Sequence, residues 1–337
     1  MHEALLCQAM NDSRVRCMLC AHGCSIAPGE RGKCGVRLNR GGRLHTLVYG
    51  RAAALNIDPI EKKPLYHFLP GTLSLSVGTL GCNFHCPFCQ NWEISQVYPE
   101  DSGGYDGVPG TPAELTELCL ARRLPSVSFT YNEPTVFFEY ALDTARLAHE
   151  HGLRTAFVTN GYQSRQALSA LDGVLDAMNI DLKSFSDDFY SEYCGARLKP
   201  VLANIERALQ QGIWVEVTTL VIPGLNDSTE ELRSLARFLA SLSPSLPWHV
   251  TAFHPDNRMR DRPATPLETL LRAAEVGREA GLHFVYTGNI HDPRHSETHC
   301  PGCGAKLIER GWHSALANRL AQGACPNCGT QIAGVWQ

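Results

Sequence analysis

Between residues 71 and 290 short apolar runs alternate with longer segments whose apolar positions recur at i, i+3, i+4 and i+7. The short runs read as strands over residues 73–79, 126–131, 155–159, 177–182, 214–221, 249–253 and 284–286. The longer segments read as amphipathic helices. Leu232, Leu235, Ala236 and Leu239 form one apolar stripe, and Leu267, Leu270, Leu271 and Ala274 another. Two helix starts are marked by an N-cap threonine, a proline and a glutamate: Thr111-Pro112-Ala113-Glu114 and Thr265-Pro266-Leu267-Glu268. Strands alternating with helices predict an α/β fold with a parallel sheet and crossover helices. The flanks differ. Residues 1–70 carry one predicted strand, 43–48, and irregular chain over 56–70 with its prolines. There, the stretch from Asp58 to Leu65 leads into the core and reads as a surface connection, with contact to substrate as the alternative. Residues 291–337 form a short separate unit, and three domains are expected: 1–70, 71–290 and 291–337.

Composition narrows the class. A hydrophobic content of 44% over 337 residues suits a globular chain with a sizeable core. The net charge is −4 and no long basic run occurs, so neither nucleic acid nor anionic membrane is an expected partner. The N-terminus lacks a basic n-region with an apolar core, and no apolar run approaches the ~18 residues of a membrane span. The expected location is the cytoplasm. There, fourteen cysteines point to metal and not to disulfides.

Eleven of the fourteen cysteines fall into three groups. Cys82, Cys86 and Cys89 are spaced C-x3-C-x2-C. Three nearby thiolates can hold an iron–sulfur cluster and leave one iron open to a small molecule; structural thiols or zinc ligands are the alternative. Cys17, Cys20, Cys24 and Cys34 supply four thiolates, enough for structural zinc or a saturated cluster. Zinc is the simpler expectation, because small loop-rich segments often need a metal to fold. His22 is not needed as a ligand. Cys300, Cys303, Cys325 and Cys328 form two C-P-x-C-G knuckles, a zinc-ribbon or rubredoxin-like pattern for zinc or iron. The predicted strands and cluster loop are complete by Asn289, so a chain ending near Asp292 is expected to fold without the ribbon. Surface or packing roles are expected for His291, His295, His299 and His313, and ordinary thiol roles for Cys7, Cys119 and Cys194.

Polar residues crowd the predicted strand ends: Asn132-Glu133-Pro134, Asn160-Gly161, Asp181-Leu182-Lys183, Phe253-His254-Pro255 and Gly288-Asn289. Proline keeps Glu133 out of the helical region. Asp181 and Lys183 alternate with apolar residues and share a strand face.

The cysteine triad, with Phe88 before its last member, resembles the signature of the radical S-adenosylmethionine (SAM) superfamily. Tyr131-Asn132-Glu133-Pro134-Thr135, Asn179-Ile180-Asp181-Leu182-Lys183 and Ile222-Pro223-Gly224-Leu225-Asn226-Asp227 resemble its pyruvate formate-lyase-activating-enzyme-like branch. The resemblance extends over nearly the whole chain to the radical SAM component of the AmmeMemoRadiSam system. It implies a partial (β/α)6 TIM-like barrel with a [4Fe-4S] cluster in the loop after the first strand, bound by Cys82, Cys86 and Cys89. It places Glu133 where relatives hold the SAM ammonium, although the two glycines that usually precede that glutamate are absent here. Asn160, Asp181, Lys183, His254 and Asn289 are the other cofactor contacts expected. The implied activity is reductive SAM cleavage to a 5′-deoxyadenosyl radical that abstracts hydrogen from an unidentified substrate. Glycyl-radical-enzyme activation and a non-catalytic iron–sulfur sensor or scaffold are the alternatives. The implied partners are an electron donor such as flavodoxin or ferredoxin, and Memo-like and AMMECR-like proteins.

Overall fold

The computed structural model describes residues 1–100, 105, 107–290, 292 and 295–337; His291 lies outside them. Eight strands form one sheet: β1 (Ala54–Pro59), β2 (Leu73–Gly78), β3 (Ser126–Phe129), β4 (Arg154–Thr159), β5 (Ala177–Asp181), β6 (Trp214–Val221), β7 (Trp248–Ala252) and β8 (Val285–Gly288). They lie side by side in chain order. From β2 to β8 every pairing is parallel, so all seven C-terminal ends reach one rim. Six helices make the crossovers: α1 (Pro112–Arg122), α2 (Phe138–Glu150), α3 (Arg165–Ala170), α4 (Leu198–Gln210), α5 (Thr229–Leu242) and α6 (Leu267–Glu279). β1 and β8 are the two ends of this order, which is a partial barrel.

Of the expected helix stripes, Leu232, Leu235, Ala236 and Leu239 of α5 are all buried, while in α6 Leu270 and Ala274 are buried and Leu267 and Leu271 half-buried. α1 begins at the expected capping box, with Thr111 and Glu114 each satisfying the other's backbone N–H. α6 does not begin at Thr265. Its N-cap is Pro266, and the Thr265 hydroxyl donates instead to the Val221 carbonyl at the end of β6.

A second difference lies in residues 54–59, where irregular chain was expected from Asn56 onward. This stretch is β1, paired antiparallel to β2 in the register Asn56↔Ser76 and Asp58↔Ser74. Its Asn, Asp and terminal Pro lower strand propensity, but an edge strand tolerates them because one flank pairs with no neighbour.

Residues 1–53 build small antiparallel ribbons beside α2. The hairpin Arg37–Arg40 and Arg43–Thr46 carries Arg37, which is buried and paired at 2.8 Å with buried Glu139 of α2. Removing either partner of such a pair costs about 3–5 kcal/mol.

The C-terminal unit is a three-stranded antiparallel ribbon, Thr298–His299, Lys306–Arg310 and Ala315–Asn318. It packs against the barrel. Its Cys300, Leu307, Ile308, Cys325 and Ile332 share one apolar cluster with Tyr66, Phe284 and Tyr286. Buried Arg310 donates to the carbonyls of Tyr66 and Ser296 and lies 4.3 Å over the Tyr66 ring. The Val335 N–H donates to the His67 carbonyl at 2.7 Å. The segment between β1 and β2 is therefore held from both sides. The ribbon holds one side, and the Glu216 carboxylate of β6 accepts from the Tyr66 and His67 N–H groups on the other.

Candidate functional site

The loop after β2 starts with Gly81 and carries the cysteine triad. Asn132, at the tip of β3, fixes its base. Its Oδ1 accepts from Thr79 N, and its Nδ2 donates to the Gly81 carbonyl at 2.7 Å. Inside the loop Phe84 N donates to Cys82 Sγ at 3.4 Å, and Cys89 Sγ lies 3.1 Å from Ser95 Oγ. Burial, joined by the nearby Glu133 charge, pushes the Cys82 thiol well above its ordinary range. A thiolate there becomes favourable once a cation binds it.

All three cysteines line a cavity of about 490 Å³ at the strand rim. Such a volume suits a small-molecule ligand, and rims of this kind are where α/β barrels place their sites. Glu133, Asn160, Asp181, Lys183 and Asn289 line the same cavity, so five of the six expected cofactor contacts come together. His254 does not. It is exposed and absent from the cavity wall, because the Phe253 N–H is tied to Thr265 Oγ1 and the chain turns outward after β7.

Glu133 has only 2% of its surface exposed. Its Oε1 accepts from Thr135 N at 2.9 Å, from Thr135 Oγ1 and from Thr159 Oγ1 at 2.8 Å; its Oε2 accepts from Asn160 N at 2.7 Å. It therefore braces the tips of β3 and β4, and Oε2, with one protein donor, keeps capacity for another. Burial raises its pKa, against which these four donors act. Lys183 pairs with Asp181 at 3.0 Å and lies 5.9 Å over the Phe88 ring. Asn160 Nδ2 donates to Asn83 Oδ1 at 2.7 Å and lies 3.9 Å from Cys82 Sγ. Gly288 stands at the tip of β8. Its missing side chain makes room for Thr251, whose Cγ2 lies 2.7 Å from where a Cβ would stand.

Four wall residues, Lys62, Lys63, Tyr131 and His313, were not among the expected contacts. Lys63 and Tyr131 both donate to the Asp58 carboxylate, at 2.7 and 2.5 Å, with Lys62 at 2.9 Å. Burial opposes charge on Asp58, but these three donors hold its carboxyl well below the usual range. Tyr131 reaches the cavity through a left-handed backbone, φ 72°, a conformation a bulky residue keeps only where its surroundings enforce it. His313 comes from the ribbon and lines the cavity, although a surface or packing role was expected. The clue for Lys62 and Lys63 was two cations four and five residues after an aspartate; no local pattern marks His313.

The ribbon cysteines are compact. Cys300 and Cys328 sulfurs lie 3.6 Å apart, and Cys303 and Cys325 sulfurs 3.7 Å apart. Four thiolates bound to one tetrahedral ion at about 2.3 Å stand about 3.8 Å apart, which fits one zinc or iron ion. Among the described residues no helix is long and apolar enough to cross a membrane.

Comparison with known proteins agrees with this geometry. The Radical SAM superfamily matches residues 76–239, from β2 to α5. An uncharacterized protein of Methanocaldococcus jannaschii is 43% identical over 98% of this chain and 99% of its own length. The pyruvate formate-lyase-activating enzyme of Clostridium pasteurianum is 26% identical over 50% of this chain and 73% of its own, and the benzylsuccinate synthase activating enzyme of Thauera aromatica 27% identical over 34% of each. Streptococcus suis SuiB, solved with S-adenosylmethionine, shares the fold at TM-score 0.51 and 15% identity, covering 69% of this chain and 53% of its own. The cysteine loop, the strand-rim cavity and these relatives agree: the chain belongs to the radical SAM superfamily, in the branch of the pyruvate formate-lyase-activating enzymes.

Proposed function

We propose that Cys82, Cys86 and Cys89 hold a [4Fe-4S] cluster with which this chain cleaves S-adenosylmethionine reductively, and that the product radical takes a hydrogen atom from a substrate in the same cavity. The observation that carries this reading is the meeting of the triad with Glu133, Asp181 and Lys183 in one cavity of about 490 Å³. When bound, the cluster supplies the electron that breaks a carbon–sulfur bond of SAM, giving methionine and a 5′-deoxyadenosyl radical. The chain supplies position. Glu133 Oε2 accepts the SAM ammonium, a charge-assisted contact suited to a carboxylate. Asn160, Asp181, Lys183 and Asn289 orient the rest of the cofactor or the substrate beside it. Lys62, Lys63, Tyr131 and His313 line the cavity's other side and restrict water there.

The substrate is a small molecule or a polypeptide. A relative named as a putative glycyl-radical enzyme activating enzyme, 24% identical over 59% of this chain, favours a second reading, activation of a glycyl radical protein. Memo-like and AMMECR-like proteins are the partners proposed for the small-molecule reading, and flavodoxin or ferredoxin the proposed reductant. The test is anaerobic incubation of the reduced protein with SAM. Methionine and 5′-deoxyadenosine should form, and deuterium from a labelled substrate should appear in the deoxyadenosine. A cluster-loaded protein that never cleaves SAM is a sensor or scaffold.

A further inference from the structure

A second, smaller cavity lies where the segment after β1, the end of β8 and the ribbon meet. Its volume is about 80 Å³, and its wall includes Glu61 from that segment, Thr287 from β8 and Arg310 from the ribbon. Lys62, Pro64, Thr251, Asn289 and His313 line both this cavity and the one that holds the cysteine triad, so the two adjoin. A single water needs about 10–15 Å³ of such space, so the smaller cavity admits an end group of roughly five to eight non-hydrogen atoms.

Three polar atoms of its wall residues have no partner within the protein: Glu61 Oε2, Thr287 Oγ1 and Arg310 Nε. Each of the three residues is only 3% exposed. They come from three separate parts of the chain, and the cavity is what they share. Buried polar atoms are normally satisfied, so three orphans around one cavity point to a ligand that satisfies them.

The charges say which ligand. Lys62 pairs with Asp58 at 2.9 Å, Asp292 with His295 at 2.5 Å and His249 with Glu216 at 2.7 Å. Burial, with Lys62 nearby, lowers the His313 pKa, so that ring is neutral at pH 7. Among the described residues Glu61 and Arg310 hydrogen-bond to neutral groups alone. Glu61 Oε1 accepts from Gly71 N at 2.7 Å. The Arg310 Nη atoms donate to the carbonyls of Ser296 and Tyr66 and to the Thr298 hydroxyl. Buried charges ordinarily find an opposite charge. Here one anion and one cation each lack a close one, and both stand in the wall of one small cavity. A phosphate would meet Arg310 and repel Glu61; a diamine would do the reverse. A group that carries both an ammonium and a carboxylate meets both, and the Thr287 hydroxyl can donate or accept beside it. The α-amino-acid end group is of that kind, and its five non-hydrogen atoms fit the space.

We propose that this cavity binds the α-amino-acid end of the substrate, ammonium against Glu61 and carboxylate against Arg310, and so selects a small zwitterionic molecule whose remainder extends past Asn289 and His313 into the SAM-facing cavity. The choice of substrate rests on the SAM reading given above; the binding site itself does not.

Glycine is the probe, because it consists of that end group alone. It is titrated by calorimetry into the metal-loaded, oxidised protein saturated with SAM. Its dissociation constant should be about 1–10 mM. Glycinamide lacks the carboxylate and acetate lacks the ammonium, so each should bind at least about tenfold more weakly. Glu61→Gln keeps the acceptor for Gly71 N and should weaken glycine about tenfold or more. Thr287→Val removes a hydroxyl that no protein group uses, so it should weaken glycine about threefold without lowering the melting temperature. Should Glu61→Gln lose the ribbon metal, and with it the local fold, Thr287→Val decides alone. Glycine that does not bind, that binds no better than acetate or glycinamide, or whose affinity survives these substitutions overturns the proposal.

The substrate class is tested with the small-molecule extract of the native organism grown in D₂O, given to the reduced protein with SAM. Deuterium should enter 5′-deoxyadenosine from the amine-bearing fraction and be lost once that fraction is N-acetylated. Deuterium that survives N-acetylation, or SAM cleavage with no deuterium from any fraction, overturns the substrate class. Failure of SAM cleavage itself would defeat the functional reading, while glycine binding, which should persist when Cys82, Cys86 and Cys89 are changed to alanine, would leave the site standing.

Discussion

Glu133→Gln separates two roles that one carboxylate plays. Oε1 takes three donors from Thr135 and Thr159, and a glutamine carbonyl can keep them. Oε2 takes the Asn160 N–H at 2.7 Å, and in glutamine an NH₂ would face that N–H, donor against donor. With 2% exposure the conflict is largely shielded from solvent, so the apo protein should lose about 1–3 kcal/mol of stability. The second loss appears only with ligand. A charge-assisted contact to the SAM ammonium is worth about 1.5–3 kcal/mol, so SAM affinity should fall roughly ten- to a hundredfold. The triad is untouched, and iron content should stay at the wild-type level. Urea denaturation of the metal-loaded protein without SAM reads the first effect; titration of the cluster spectrum with SAM reads the second. Unchanged SAM affinity would remove Glu133 from the ammonium site, and an unchanged urea midpoint would remove its bracing role.

Two further predictions concern the segment that joins barrel and ribbon. Burial lowers the His67 pKa from 6.5 to about 4. A depressed pKa gives stability that is present above pH 6.5 and lost as pH falls toward 4. Between pH 7 and pH 5 the loss is about 2 kcal/mol, and His67→Gln should flatten that part of the urea-midpoint profile; a parallel profile refutes the linkage. Removing the ribbon metal with a chelator, or ending the chain near Asp292, should lower the melting temperature of the barrel. Arg310 and the ribbon cysteines then no longer cover Tyr66 and Tyr286. An unchanged barrel transition by calorimetry would make the ribbon a separable unit after all.

The patterns that depend on neighbours in sequence were legible there. The triad needs only residues 82–89, the ribbon needs two knuckles, and the parallel strands announce themselves by apolar runs whose polar tips then meet at one rim. What was not legible depends on partners far away in the chain. Residues 54–59 look irregular because Asn56, Asp58 and Pro59 disfavour a strand, and pairing with β2 overrides that preference. Lys63 is buried only because Asp58 and Tyr131 surround it. His313 reaches the cavity because Arg310, three residues earlier, anchors the ribbon to Tyr66. His254 looked like its neighbours at the other strand tips, but a hydrogen bond from Phe253 N to Thr265 turns it outward. Spacing along the chain gives the number of ribbon thiols; only the fold brings the two knuckles together so that the four sulfurs lie within reach of one ion.

The most direct test of the account is SAM turnover by the reduced, anaerobically reconstituted protein beside the variant with Cys82, Cys86 and Cys89 changed to alanine. The account predicts methionine and 5′-deoxyadenosine in equal amounts from the wild type and neither from the variant. Cleavage of SAM by the triple variant would place the chemistry elsewhere in the molecule and contradict it.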